Sequence, residues 1–425
     1  MLLGIRFLRT GIGIVVAYTA YSTYIQLRTT YEISERARRK LYESDLENLK
    51  NTDWPATKFS SLIVGGRFAN PFTHYRTQTV FEFVFCRVLE LFHAKPRGGV
   101  PADPEVIKRL LPTCQPDYEL INDTAEREDL EVPSVDERLT LTWLGQSCAF
   151  IQMGGLNIMT DPCLGEHLVN EYVGPKRICP APCGVKDLPK IDVVLVSHDH
   201  PDHLELDTAE EIGNDALWVV PLGVRKHLER RGIYNIAEMD WWEKMRIPDL
   251  AKADGWEIAC TPAMHWSGRA MIDSNSTLWC SFVMLRHGKP VFFHAGDTGY
   301  SPDLFNGIRQ VFGSGLKVAM LPCGAYTPRW HLRPQHIDPY EAMQVMSDLD
   351  AKKMVGVHWG TFVLSDEHFL EPREKLHELA EKSNKSNDVI APEFGRTLVF
   401  NLSAHNENKP SSKTPIHDGS AILFS

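Results

Sequence analysis

The apolar run Asp192-Val193-Val194-Leu195-Val196 leads directly into Ser197-His198-Asp199-His200-Pro201-Asp202-His203, and that junction limits the available folds more than any other feature of the chain. A short, nearly continuous apolar run is the mark of a strand buried on both faces. Imidazoles and carboxylates crowded at its end need partners, because buried polar groups left alone are costly. A metal ion is the partner that this mixture of nitrogen and oxygen donors suits. The same junction recurs downstream. Glu257–Thr261 is followed by His265, Val291-Phe292-Phe293 by His294-Ala295-Gly296-Asp297, and Met354–Val357 by His358. Strand ends of an α/β scaffold share one rim, where rigid elements position the loops that carry chemistry.

The predicted rim offers imidazoles from His198, His200, His203, His265 and His358 and carboxylates from Asp202 and Asp297, with Asp297 suited to bridge two ions. That donor set points to zinc. It is too large for one catalytic ion and suits two Zn2+ per chain. Further strands are expected over Leu139–Leu144, Ala149–Met153, Leu156–Thr160 and Val318–Leu321, with a helix over Pro339–Leu349. Strands alternating with helices imply a layered α/β sandwich.

Around that core the chain changes character. A segment over 1–31 carries Arg6 and Arg9, an uncharged stretch from Thr10 to Leu27 and no acid before Glu32. As a helix, that stretch reaches about 27 Å, enough for a bilayer core. It is predicted to be a retained membrane anchor, the alternatives being a targeting segment or an ordinary apolar helix. Residues 32–137 are expected to be a linker and N-terminal extension, 138–402 the catalytic domain and 403–425 a loose polar tail. A net charge of −10 argues against a general nucleic-acid binder. Nine cysteines over 425 residues make no disulfide framework, and Cys179 with Cys183 is half a zinc knuckle without a second half.

His-x-His-x-Asp-His, a distant His, an Asp within Gly296-Asp297-Thr298 and a last His resemble the metallo-β-lactamase superfamily. The resemblance implies an αββα four-layer sandwich. His198, His200 and His265 would hold one ion, Asp202, His203 and His358 the other, and Asp297 would bridge them. Asp161 would support the site from behind, and Asp202 would count among the catalytic groups. Gly65-Gly66-Arg67-Phe68-Ala69-Asn70-Pro71, Asp240-Trp241-Trp242-Glu243, Thr327-Pro328-Arg329-Trp330 and His358-Trp359-Gly360-Thr361-Phe362 narrow the likeness to the N-acylphosphatidylethanolamine-hydrolysing phospholipase D family. Its fungal, mitochondrial branch is the nearer match. Gln146 departs from the pattern, standing where members often carry a histidine.

That family implies hydrolysis of N-acylphosphatidylethanolamine to phosphatidic acid and an N-acylethanolamine, with His336 near the phosphodiester as the group that serves the leaving oxygen. Trp241, Trp242, Trp330 and the Thr79–Phe92 stretch are candidates for an acyl channel, and Arg177 and Arg329 for phosphate contacts. The partners expected are membrane phospholipid and the bilayer, not nucleic acid, and a homodimer is compatible. The expected location is a mitochondrial membrane, the inner one, with another intracellular membrane as the alternative. Competing activities are a lactonase or another phosphodiesterase on the same fold. A metal-binding membrane scaffold without turnover is the reading from another class.

Overall fold

The structure, a computed structural model, describes residues 2–43, 53–76, 81–82, 85, 97–122, 132–172, 174–247, 251–270, 273–403, 413–416 and 421–424. Two large sheets pack face to face. One runs Lys413–Ile416, Ala421–Phe424, Thr397–Asn401, Arg138–Gly145, Cys148–Met153, Leu156–Thr160, Val193–Leu195, Leu217–Pro221, Ile236–Met239 in spatial order. The other runs Val389–Ile390, Lys353–Val357, Val318–Pro322, Lys289–His294, Ser281–Arg286, Trp256–Thr261, Lys244–Arg246. Alternation along each strand builds the layers. Leu139, Leu141, Trp143, Val193 and Leu195 face Ile258, Cys260, Phe282 and Phe292 across the central core. Leu144, Phe150, Val194 and Trp218 point the opposite way, under Ala209 and Leu228 of the helices Leu206–Ile212 and Arg225–Glu229.

The outer face of the second sheet is covered by Pro302–Phe312, Pro339–Asp348 and Glu371–Lys382, whose Phe305, Val345 and Leu376 are buried in the central core. Helix, sheet, sheet and helix give the αββα sandwich. Pro339–Asp348 starts where the sequence directs. Pro339 occupies its first turn, and the Asp338 side chain accepts from Glu341 N at 2.8 Å in a capping box.

The ends of the chain differ from expectation. Leu2–Glu43 is one continuous helix, but no helix among the described residues is long and apolar enough to cross a membrane. Thr19, Ser22, Thr23 and Gln26 dilute its apolar stretch too far, so the spanning anchor is corrected to a helix that does not span. It lies on the protein instead. Ile25 packs on Leu62, Val64 and Ala69, and Arg36 donates to Ser60 O at 2.8 Å and to Ser61 O at 3.2 Å. Ile12, Ile14, Val16, Tyr24 and Leu27 stay exposed.

The region expected as an extension before residue 138 is built into the core. Asp53–Lys58 packs on Pro302–Phe312, and Phe59 stacks on Phe72 at 5.1 Å, both buried. Each such burial stabilises by about 1.5–3 kcal/mol, so the segment is not a passive linker. The Gly65-Gly66 stretch is a hairpin turn between Ile63–Val64 and Arg67–Phe68, with φ of 61° and 77° at the two glycines as a two-residue turn of this hand requires. Within the expected loose tail, Lys413–Ile416 and Ala421–Phe424 are paired strands, the latter running parallel to Thr397–Asn401. Of Thr79–Phe92, residues 79–80, 83–84 and 86–92 lie outside the described residues.

Candidate metal centre

The donors expected from the sequence gather at one end of both sheets. His198, His200, Asp202 and His203 follow Val193–Leu195, His265 follows Trp256–Thr261, Asp297 follows Lys289–His294, and His358 follows Lys353–Val357. Their atoms converge in two sets, His198 with His200 and His265, and Asp202 with His203, Asp297 and His358. In the first set His198 Nε2 is 2.7 Å from His200 Nδ1, and His265 Nε2 is 3.3 Å from that same nitrogen. In the second, His203 Nε2 is 3.2 Å from Asp297 Oδ2 and 3.3 Å from His358 Nε2, and His358 Nε2 is 3.1 Å from Asp297 Oδ1.

The surrounding hydrogen bonds decide which ring nitrogen faces inward. His265 Nδ1 donates to Gln335 O at 2.9 Å, which leaves the Nε2 lone pair toward His200. His203 Nδ1 donates to Asp161 Oδ2 at 2.8 Å, which leaves its Nε2 toward Asp297. Among the neutral imidazoles of the first set, lone pairs aimed at one another across about 3 Å in a buried space repel unless a cation lies between them. In the second set a cation would take the place of the imidazole protons that face the carboxylates. Fixing the tautomer from behind is how proteins orient metal-binding histidines. The residues present therefore fit divalent ions of nitrogen–oxygen preference.

Asp161 is the support the sequence suggested. Its Oδ1 accepts from Ser197 N at 2.6 Å, and its Oδ2 accepts from Ser197 Oγ at 2.7 Å and His294 Nε2 at 2.9 Å as well as from His203. Burial works against the ionised form, yet His294 and His203 outweigh it and hold the carboxyl at about 2. His294 was visible in the sequence but had no role there; it ties the second sheet to the first through Asp161. Asp199 points away from the centre, accepting from Gly268 N at 2.8 Å with His227 Nε2 at 3.1 Å. Asn70, from the N-terminal hairpin, donates to His265 O at 2.7 Å.

Gln146 is 1% exposed and belongs to the centre: its Nε2 lies 2.9 Å from Asp202 Oδ2 and 3.3 Å from His358 Nε2. His336 stands at the rim. Its Nδ1 is 3.8 Å from Asp297 Oδ2, and it forms a further convergent set with His265 and Asp297. Arg329 holds this segment rather than facing the centre, donating to His336 O at 2.8 Å and pairing with Glu341 at 2.5 Å and Asp338 at 3.3 Å. Arg177 is buried and donates to Leu144 O at 2.7 Å, which braces the turn. Trp241 is a core residue bonded to Trp279 O, so it lines no channel; Trp242 is partly buried and stacks on Phe312, and Trp330 is half exposed. Cys179 and Cys183 are buried free thiols, and no convergent set among the described residues includes a cysteine.

The two sets differ in their protons. Burial holds His198, His200 and His265 below the ordinary imidazole value, so the first set is neutral at pH 7 in the metal-free protein. In the second set burial is outweighed by carboxylates. Asp297 and Asp202 lift His358 to about 9, and with Asp161 they lift His203 well above its ordinary value. An ion entering the first set displaces no proton at pH 7; one entering the second displaces protons from His203 and His358. Affinity of the second set should therefore climb with pH up to about 9 while that of the first stays flat. Calorimetric titration of metal-free protein in buffers of different ionisation enthalpy measures the release, and equal proton counts for both ions would contradict this assignment.

Comparison with known proteins agrees with this geometry. A family described as beta-lactamase superfamily domain matches residues 156–359. The chain is 43% identical over 92% of its length to the mitochondrial N-acyl-phosphatidylethanolamine-hydrolyzing phospholipase D of Saccharomyces cerevisiae, covering 87% of that protein. It is 32% identical over 82% of its length to N-acyl-phosphatidylethanolamine-hydrolyzing phospholipase D 1 of Caenorhabditis elegans, covering 98% of it. The isothiocyanate hydrolase from Delia radicum gut bacteria shares the fold, with a TM-score of 0.50 at 20% identity over 62% of this chain and 99% of that one. The chain belongs to the N-acyl-phosphatidylethanolamine-hydrolysing phospholipase D family, within the β-lactamase superfamily.

Proposed function

We propose that the chain is a two-zinc phospholipase D that hydrolyses N-acylphosphatidylethanolamine to phosphatidic acid and an N-acylethanolamine. The observation that carries this reading is Asp297, whose carboxylate lies 3.2 Å from His203 Nε2 in one donor set and 3.8 Å from His265 Nε2 in the other. A carboxylate shared between two imidazole sets is the layout of a bridged pair of ions. His198, His200 and His265 would hold one, and Asp202, His203 and His358 the other. Bound there, two zinc ions supply a water acidic enough to ionise near neutral pH and Lewis-acid stabilisation of phosphate oxygens. The substrate class comes from the relatives, which bear that activity in their names.

The chain's own residues do the rest. Asp161, Ser197 and Gln335 fix the imidazoles so that no reorganisation is needed during reaction. His336, at the rim and outside both sets, serves the ethanolamine oxygen as it leaves. Burial pushes its imidazole down to about 4, so it is neutral at pH 7 in the free protein, and a bound phosphodiester anion raises it toward the protonated form. The test is a panel. Purified protein is offered N-acylphosphatidylethanolamine, a lactone and a soluble phosphodiester, each with and without chelator. Chelator-sensitive release of N-acylethanolamine is the expected result; release of fatty acid or diacylglycerol, or turnover of the lactone alone, overturns the assignment.

The helix Leu2–Glu43 meets the bilayer by lying on it. Its exposed Ile12, Val15, Val16, Tyr24 and Leu27, with Arg9 and Arg28 and no acid before Glu32, suit the interface between acyl chains and headgroups. The membrane in question is mitochondrial, as the name of the yeast relative suggests. Deleting residues 1–31 should release the protein from membranes and leave its metal content unchanged, because the two donor sets lie between His198 and His358. A truncated protein that still sediments with membranes after a carbonate wash would place the attachment elsewhere.

A further inference from the structure

The turn between Arg138–Gly145 and Cys148–Met153 puts a glutamine where the second donor set needs a fixed wall. Gln146 has a φ of 48°, a left-handed conformation that a side-chain-bearing residue adopts at a cost, and His358 opposite it has a φ of 65°. Their main chains are locked together. His358 N donates to Gln146 O at 3.0 Å, Trp143 Nε1 donates to that same oxygen at 2.8 Å, and Gln146 N donates to Thr361 Oγ1 at 2.8 Å. The backbone of Gln146 thus joins the first sheet to the loop of the second that carries His358.

With the backbone so held, the side chain reaches one place. Gln146 Nε2 donates to Asp202 Oδ2 at 2.9 Å, and that oxygen also faces His203 Nε2 and His358 Nε2, each at 3.5 Å. None of the other side-chain hydrogen bonds described reaches Asp202 from outside the donor sets. Asp161 and Gln335 play that part for His203 and His265. We propose that Gln146 is a positioning residue for the second metal ion alone, holding Asp202 in register through its amide N–H and leaving the first ion untouched. A neutral amide does this without adding charge to a set that already carries two carboxylates, and it keeps doing so at every pH. None of the side-chain hydrogen bonds described for Gln146 reaches His198, His200 or His265, so the two ions should depend on it unequally.

This inference rests on the two-ion reading, and the test separates them. Zinc-loaded wild type, Gln146→Leu and Gln146→His are titrated with chelator, and ions per chain are counted by elemental analysis at each step. Leucine keeps the volume and removes the donor. Histidine returns a ring N–H the same number of bonds from the backbone. Leucine tolerates the left-handed turn less well than histidine, so Gln146→Asn, which suits that conformation but is one methylene too short to reach Asp202, is run beside them and should behave as leucine does if the side chain rather than the backbone matters. The leucine variant should lose one ion at about 10- to 100-fold lower chelator than wild type while its other ion leaves with that of wild type, and the histidine variant should follow wild type. Leucine tracking wild type, leucine losing both ions together, or leucine and histidine behaving alike each overturns the proposal. Should the leucine variant fail to fold, Gln146→Asn carries the same expectation. A wild type that holds fewer than two ions overturns the two-ion reading and this inference with it.

Discussion

Asp297→Asn should strip metal from the centre and abolish turnover. The expected loss of metal affinity is about 150- to 5000-fold, from the roughly 3–5 kcal/mol cost of removing one partner from a buried, mutually compensating set of charges. Asp297 is the residue whose carboxylate reaches both donor sets. Its Oδ2 lies 3.2 Å from His203 Nε2, 3.8 Å from His265 Nε2 and 3.8 Å from His336 Nδ1, and its Oδ1 lies 3.1 Å from His358 Nε2. Burial opposes its ionisation, yet His203, His358 and His336 hold it well below the carboxylate range. Asparagine keeps the shape, loses the charge and sets an NH2 group against a cation. His198→Ala supplies the contrast, since it damages the first set alone and should cost one ion before the other. Elemental analysis after gel filtration reads both. Two ions retained by Asp297→Asn at wild-type affinity would mean that the carboxylate does not bridge.

The parts of this centre that were legible in the sequence share a physical reason. Strands such as Val193–Leu195 and Val318–Pro322 are buried on both faces, so their burial shows as an uninterrupted apolar run. The donors stand within a few residues of the strand ends because a rigid strand is what holds a donor in place, and so His198, His265, Asp297 and His358 could be located by counting from the apolar runs. Residues whose role depends on contacts far along the chain were not legible. Asn70 reaches His265 across 195 residues from a short hairpin that lacks any hydrophobic period, and Phe59 and Phe72 enter the core from the same irregular segment. Residue type also misled. Trp241 suggested an acyl contact, but burial makes it core, and Arg177, a candidate for phosphate, braces a backbone carbonyl.

The N-terminal helix shows the same limit from the other side. A proline-free, acid-poor start does form a helix, and its hydroxyls bond back within it, as Thr19 Oγ1 does to Val15 O at 2.8 Å. An uncharged stretch of bilayer length behind two arginines makes it a candidate to span a bilayer; hydropathy decides otherwise. Within the polar tail the backbone of Ala421–Phe424 pairs with Thr397–Asn401, and side-chain polarity does not report such backbone hydrogen bonding. Gln146 was noticed only as a departure from a family pattern. Its meaning came from the turn that aims it at Asp202.

His336→Ala should lower kcat by about 100-fold, at the lower end of what a positioned proton donor supplies, with KM changed little. The imidazole is 12% exposed on its side chain, sits 5.2 Å from the ring of His265 and 5.8 Å from that of His358, and is carried on a segment that Arg329 clamps to Asp338 and Glu341. That places it beside both donor sets and outside the seven expected ligands, so the variant should keep its metal. Since the free imidazole lies at about 4 and the phosphodiester anion raises it on binding, its ionisation should appear in the pH profile of kcat and vanish from that profile in the alanine variant. The bond cut is read separately. In oxygen-18 water the label should enter phosphatidic acid, because attack at phosphorus leaves the ethanolamine oxygen with the departing N-acylethanolamine. Label in the N-acylethanolamine would mean that carbon–oxygen bond cleavage occurs instead. Loss of metal from His336→Ala would make this histidine a ligand alongside His265 and Asp297, with which it already converges, and would remove it from the role of proton donor.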